Sequence, residues 1–172
     1  MDALGVSALS KMKLLIVDDE PSNVALLEEI LAESGYTRSQ SVTDSRKALD
    51  VCEEFDPDIV LLDLMMPHVD GFTILKALRT HETDAHLPIV VLTADISEET
   101  KRRALTVGAT DFILKPFDQV EVLLRIHNLL DRRRLQLHLD TQRVAFEESV
   151  RLRSEEIREL RAQLAQVASS AA

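Results

Sequence analysis

Ile59-Val60-Leu61-Leu62-Asp63-Leu64-Met65-Met66-Pro67 is the stretch that decides the fold of this chain. An uninterrupted apolar run stops at a carboxylate, follows the Asp56-Pro57 breaker and is itself followed by a proline. A short run, apolar at every position and bounded by turn residues, suits a strand buried on both faces of a parallel sheet. The same form recurs three times. Leu14-Leu15-Ile16-Val17 stops at Asp18-Asp19-Glu20, Ile89-Val90-Val91-Leu92 at Thr93-Ala94, and Phe112-Ile113-Leu114 at Lys115-Pro116. In an open α/β sheet the ligand site lies beyond the carboxyl ends of the strands. Four such strands deliver three carboxylates, a hydroxyl and an ammonium to one rim, a set able to hold a divalent metal and a phosphoryl group together.

Between these runs the spacing turns helical. Pro21 opens a pattern through Val24, Leu27, Ile30 and Leu31 that Gly35 closes. A weak strand is expected around Tyr36–Val42, then a helix capped by Asp44 or Ser45 and running to about Phe55. Gly71 precedes a helix through Ile74, Leu75 and Leu78. Ser97 caps another that Gly108 stops. Strand and helix alternate five times, which predicts a parallel sheet with helices on both faces.

The last helix is different. It starts near Asp118 and meets no glycine or proline through Ala172, far beyond the usual length, and a coiled coil accounts for that. Phe146, Val150, Arg153, Ile157, Leu160, Leu164 and Val167 alternate steps of four and three, the seam of a coiled coil with one arginine in it. Leu123, Leu130, Leu137 and Val144 are seven apart but in another phase, so a phase shift falls around Asp140–Glu147. The division expected is an N-terminal tail at 1–12, a globular domain at 13–130 and a coiled-coil helix at 131–172. The alternative for the tail is a helix folded back on the domain.

Composition narrows the class. The chain has 172 residues and 45% apolar content, and no apolar run approaches the roughly 18 residues of a membrane span. The start lacks the basic and apolar segments of a signal peptide, so a soluble cytoplasmic protein is expected. Cys52 is the single cysteine, which excludes an internal disulfide; a packed core thiol is the favoured reading. The net charge of −10 divides into −11 over residues 1–130 and +1 from Asp131 onward. An acidic globular part argues against direct nucleic-acid binding. The arginines at Arg132-Arg133-Arg134 are read as a solvated helix face.

Asp18, Asp19 and Asp63 stand close enough at the rim to repel. Two like charges about 4 Å apart cost roughly 4 kcal/mol at an effective dielectric of 20. A cation relieves this, and an all-oxygen ligand set points to Mg²⁺. One carboxylate can then attack phosphorus to form an acyl phosphate, with Lys115 neutralising charge and the Thr93 hydroxyl donating a hydrogen bond. Taken singly, each would read as an ordinary residue at a strand end.

With these motifs in place, residues 13–130 resemble the receiver domain of two-component response regulators. The resemblance implies a flavodoxin-like, doubly wound, five-stranded parallel sheet with five helices, the last extended into a parallel coiled coil. It implies that Asp63 is the phospho-accepting aspartate, that Thr93 and Lys115 complete the catalytic set, and that Thr93 and Phe112 form the switch. It further implies that Asp19, Asp63 and the Met65 carbonyl bind Mg²⁺ directly, with Asp18 acting through water, and that the Lys115-Pro116 bond is cis. The partners implied are a histidine kinase or phosphotransfer protein, and a second copy of the chain through residues 146–167.

His68 is read as an exposed loop residue, Met65 and Met66 as loop packing, and His81 with His86 as a weak zinc candidate. The tail resembles linkers that carry receivers into cyclic-dinucleotide enzymes, kinases or phosphatases, but no output motif follows. The chain is then a piece of a longer protein or a complete one that signals by contact. Competing readings are an aspartyl-phosphate phosphatase, which needs a second acid where Met65 stands and a cap domain, and a coiled-coil scaffold with a vestigial receiver.

Overall fold

The computed structural model describes residues 9–80, 86–95 and 97–170. Five strands, β1 (Leu14–Val17), β2 (Ser39–Val42), β3 (Ile59–Asp63), β4 (Ile89–Thr93) and β5 (Asp111–Leu114), form one parallel sheet in the order β2-β1-β3-β4-β5. The helices are α1 (Pro21–Glu33), α2 (Ala48–Phe55), α3 (Gly71–Thr80), α4 (Glu98–Val107) and α5 (Gln119–Ser170). This is the doubly wound, flavodoxin-like architecture expected from the alternation.

Side-chain alternation along the strands splits the core into two layers. Leu14, Ile16, Ile59, Leu61, Val90 and Leu92 face Leu27, Leu31, Val122, Ile126 and Leu130 of α1 and α5. Leu15, Val17, Val60, Leu62, Ile89 and Val91 face Ala48, Cys52, Ile74, Leu75 and Ala104 of α2, α3 and α4. Each large side chain so buried is worth about 1.5–3 kcal/mol. Cys52 is the core thiol expected, and burial pushes it up to about 11. Leu9 and Met12, placed in the N-terminal tail by sequence, are buried in the first layer.

Local signals set the element ends. Gly35 (φ +85°) follows the end of α1, Asp56 (φ +49°) caps α2, and Gly108 (φ +119°) stops α4. Ser97 accepts the Thr100 N–H at 3.3 Å, and Asp118 accepts the Glu121 N–H at 2.8 Å, capping α4 and α5. Asp44 accepts the Arg46 N–H and starts a 3₁₀ turn (Ser45–Lys47) before α2.

The structure departs from the sequence reading in four places. The weak second strand is shorter, because Tyr36 turns into the core and bonds its N–H to the Leu31 carbonyl at the end of α1. Arg133 is not on a solvated face: at 7% exposure it extends the buried stripe of Ile126 and Leu130, seven and three residues before it. Arg132 and Arg134 are exposed. Met65 does not pack in its loop; it is 78% exposed, while Met66 is buried. Leu123 and Leu130 belong to the domain core, so the upstream heptad phase is partly a core pattern.

The chain divides into two compact units, Met1–Arg134 and Leu135–Ala172. In the second, Phe146, Val150, Ile157 and Leu160 are exposed. The side chains of Leu164 and Val167, the last seam positions, lie outside the described set, as does all of His81. Among the described residues no helix is long and apolar enough to cross a membrane.

Candidate functional site

β1 and β3 are adjacent, with Val17 opposite Leu62, so the residues that follow each pair come out side by side at the sheet's carboxyl edge. Asp18, Asp19 and Asp63 each offer a carboxylate oxygen, and these oxygens lie within 4.8 Å of one another. Asp18 and Asp63 are buried and Asp19 is half-buried. Lys115 reaches across from the end of β5, its Nζ 2.7 Å from Asp18 Oδ2 and 3.2 Å from Asp63 Oδ1. The Lys115-Pro116 bond is cis, as the resemblance implied.

The three acids are held differently. Asp18 accepts from Lys115, from the Glu20 N–H at 2.9 Å and from Asn23 Nδ2 at 3.2 Å. Its lone pairs are largely committed. Asp19 takes part in no hydrogen bond or ion pair among the described residues, which leaves its carboxylate open to an incoming cation. Burial raises the Asp63 carboxyl above its ordinary value; the Lys115 ammonium opposes that rise and the charge on Asp18 adds to it. One ammonium against three carboxylates leaves the rim net negative, with room in charge and ligand type for one divalent ion. The donor set of hard oxygens fits Mg²⁺.

Thr93 lies one residue beyond Leu92, the register partner of Asp63, and is buried. Its Oγ1 accepts the Asp95 N–H at 3.0 Å. Asp95 in turn accepts from Thr100 Oγ1 at 2.5 Å and from the Ser97 N–H at 2.8 Å, which holds its carboxyl below the ordinary value. The hydroxyl is thus tied to the start of α4. Phe112 pairs in register with Val91, two residues before Thr93 and on the same face. The ring is half-buried beside a surface groove lined by Lys101, Arg102, Leu105 and Thr106. Two cations lie over the ring, Lys101 Nζ 5.0 Å and the Arg125 guanidinium 5.6 Å from its centroid.

Three positioning residues escaped the sequence reading. Asn23 holds Asp18 from the first turn of α1. Ser45, buried, donates to the Pro67 carbonyl at 2.6 Å and accepts the Val69 N–H at 3.2 Å, so it pins the loop after Asp63. Gly71 was read only as a turn signal. A side chain there would run into the Asp63 carbonyl oxygen and come within 2.7 Å of Leu64 Cα, so α3 begins against the strand that carries Asp63. His68, exposed with φ +70°, is the loop residue expected and touches none of the acids in any hydrogen bond.

The sequence matches the family model described as the response regulator receiver domain over residues 14–127. This chain belongs to that family. The DNA-binding dual master transcriptional regulator RpaA of Synechocystis is 39% identical over 120 residues, a match covering 70% of this chain and 49% of RpaA. A putative response regulator from Chloroflexus aurantiacus superposes with a TM-score of 0.66 at 33% identity, over 70% of this chain and 98% of that one. The receiver domain of sensor histidine kinase PA1611 from Pseudomonas aeruginosa, whose structure has a magnesium ion coordinated in the active-site cleft, gives a TM-score of 0.64 at 28% identity, over 70% and 98% of the two chains. The chain spans about half the length of the curated relatives it matches. As a receiver it is a signalling domain of phosphorylation-dependent two-component systems, a class that meets histidine kinases or phosphotransfer proteins and binds Mg²⁺ at its acidic pocket.

Proposed function

We propose that this receiver, acting in the cytoplasm, accepts a phosphoryl group on Asp63 from a phosphohistidine of a histidine kinase or phosphotransfer protein and passes the change to a dimeric C-terminal helix. The observation that carries the reading is the convergence of Asp18, Asp19, Asp63 and Lys115 at one rim. An Asp63 oxygen attacks phosphorus; the P–O bond forms as the P–N bond breaks, and the departing imidazole keeps the electron pair and takes up a proton. Lys115 already bridges Asp18 and Asp63 and stands where charge gathers on the transferring oxygens. Asp19, Asp63 and the Met65 carbonyl would hold Mg²⁺, with Asp18 helping through water. The ion supplies Lewis-acid neutralisation of the phosphoryl oxygens.

Thr93 and Phe112 act as the switch in this reading. A phosphoryl oxygen would accept from the Thr93 O–H and draw it toward Asp63, stretching the bond that Oγ1 accepts from the Asp95 N–H, which loosens the start of α4 and frees space beside the ring. A ligand that binds one of two arrangements better shifts the population toward it. The output stage is a parallel homodimer through residues 146–167, with the receiver at 13–130 and the signalling helix at 131–172. Whatever follows that helix, cyclic-dinucleotide turnover included, receives a change of pairing. The acidic receiver acts by protein contact and not on nucleic acid. The phosphatase reading loses support because the position two after Asp63 is the exposed Met65, which offers no acid.

Intact-mass analysis after acetyl phosphate treatment tests the assignment. The parent gains a phosphate adduct only with Mg²⁺ present, and Asp63→Asn gains none. Equal labelling of the variant would move the nucleophile elsewhere.

A further inference from the structure

Part of the outer face of the second unit satisfies its own charges, while Arg158 and Glu159 on it make no ion pair among the described residues. Arg151 bonds Glu148 at 2.7 Å and Glu155 at 3.3 Å, and Arg143 lies 3.5 Å from Glu147, all at helical spacings of three or four. Arg153, Glu156 and Arg161 take part in no hydrogen bond or ion pair among the described residues. Arg161 has no acid three or four residues away, and the single base at that spacing from Glu156 is Arg153, which stands in the seam and does not bond it. Glu156 and Arg161 also flank the apolar seam: Glu156 immediately precedes Ile157, and Arg161 immediately follows Leu160. In a parallel, in-register coiled coil, the residue bordering the seam on one helix faces the residue five further on in the other.

We propose that a second copy of this chain covers this face in parallel and in register, with Glu156 of each helix paired to Arg161 of the other and the two Arg153 side chains facing within the seam. The proposal rests on the dimer reading above and specifies its register and the residues that hold the parallel orientation. Charge decides the orientation. Opposed helices centred on Glu155, the register that stacks the seam layers, would set Glu156 beside its own copy and bring Arg161 to Glu147, which Arg143 already engages. The parallel arrangement satisfies both unpaired groups twice over. The Arg153 layer sets the strength: like charges within a short seam hold the pairing weak, and a weak pairing is one a receiver can redirect.

Sedimentation equilibrium of the full chain and four variants tests this. Glu156→Arg and Arg161→Glu each raise the dimer dissociation constant about tenfold at low salt, and the double swap restores it to near the parent value. Arg153→Leu tightens the dimer about a hundredfold. Val150→Cys in a Cys52→Ser background forms an interchain disulfide readily, because parallel register brings the two copies of that position together. A dimer untouched by the single swaps, or weaker in the double swap than in either single, overturns the proposed pairing while the dimer itself stands. A monomer in both the parent and Arg153→Leu overturns the dimer reading and this inference with it.

Discussion

The receiver and the helix beyond Leu135 are written in the same chemical language and use it in opposite ways. In the receiver, apolar residues on β1, β3 and β4 and on the inner faces of the helices are buried within one chain. In the second unit, Phe146, Val150, Ile157 and Leu160 repeat just as regularly and stay exposed, Phe146 at 69%. Periodicity therefore reports that a face is to be covered, not what covers it. The sheet supplies the cover in the first region, and in the second the proposed second copy would supply it. The two heptad phases differ in the same way: Leu123 and Leu130 answer to the receiver core, whereas Phe146, Val150, Ile157 and Leu160 are covered by nothing within this chain.

The comparison breaks most sharply under one chemical change made in both regions. Leu130→Ala, at a fully buried position, should cost about 2–5 kcal/mol of folding stability. Leu160→Ala should leave the receiver's denaturation midpoint within about 0.5 kcal/mol at submicromolar concentration, while the dimer dissociation constant rises. Urea titrations give both numbers. Equal losses in stability would mean that the tail is folded against its own chain.

A smaller effect sharpens the contrast within the receiver, between core and rim. Lys115→Met leaves Asp18 and Asp63 facing each other without their ammonium, which should cost about 3 kcal/mol in the absence of divalent ions. Millimolar Mg²⁺ should return a large part of that stability by binding only the folded state, yet acetyl phosphate labelling should remain about 10²-fold slow. If Mg²⁺ stabilises parent and variant equally, the lysine is not what balances the acids. At Gly71→Ala the cost should be about 1–3 kcal/mol, because the added methyl pushes α3 away from the Asp63 carbonyl. A lower thermal midpoint together with slower labelling of Asp63 would show that the glycine positions the nucleophile. A lower midpoint with unchanged labelling would make it structural only.

Much of this is legible in the amino-acid sequence alone. The strand runs that lead to Asp18, Asp63 and Thr93 are buried at every position, and helix ends at Gly35, Ser97 and Gly108 obey local capping chemistry that sequence states directly. Asp18, Asp19, Asp63, Thr93 and Lys115 were readable because each ends a strand, and parallel topology carries strand ends to one rim. Asn23, Ser45 and the close approach at Gly71 were not readable, since their roles depend on contacts 5 to 24 residues away that no periodicity encodes. Arg133 misled for the opposite reason. Its charge argued for solvent, while its place on the helix, seven residues after Ile126, put it on the buried stripe.

The smallest expected effect compares ion pairs in the two regions. Arg125 Nη1 donates to both carboxylate oxygens of Asp111 at 2.7 and 2.8 Å, and the Nε and Nη2 edge bonds Glu121 at 2.9 and 2.8 Å, so two elements of the receiver, β5 and α5, are tied by one planar group. Asp111 also accepts the Phe112 N–H at 2.9 Å. Asp111→Asn should therefore lower stability by about 1 kcal/mol, a modest value because the pair is partly open to water. Glu148 pairs with Arg151 within a single exposed helix, and this holds its carboxyl below the ordinary range. Glu148→Gln should leave the folding midpoint unmoved, since water and salt replace what the neighbour supplied. The receiver variant has a second consequence: a guanidinium released from Asp111 no longer sits fixed 5.6 Å from the Phe112 ring. Aromatic NMR signals of Phe112 should shift or broaden in Asp111→Asn and stay as in the parent in Glu148→Gln. Unchanged Phe112 signals in both variants would show that the ring's position does not depend on the Arg125 clamp.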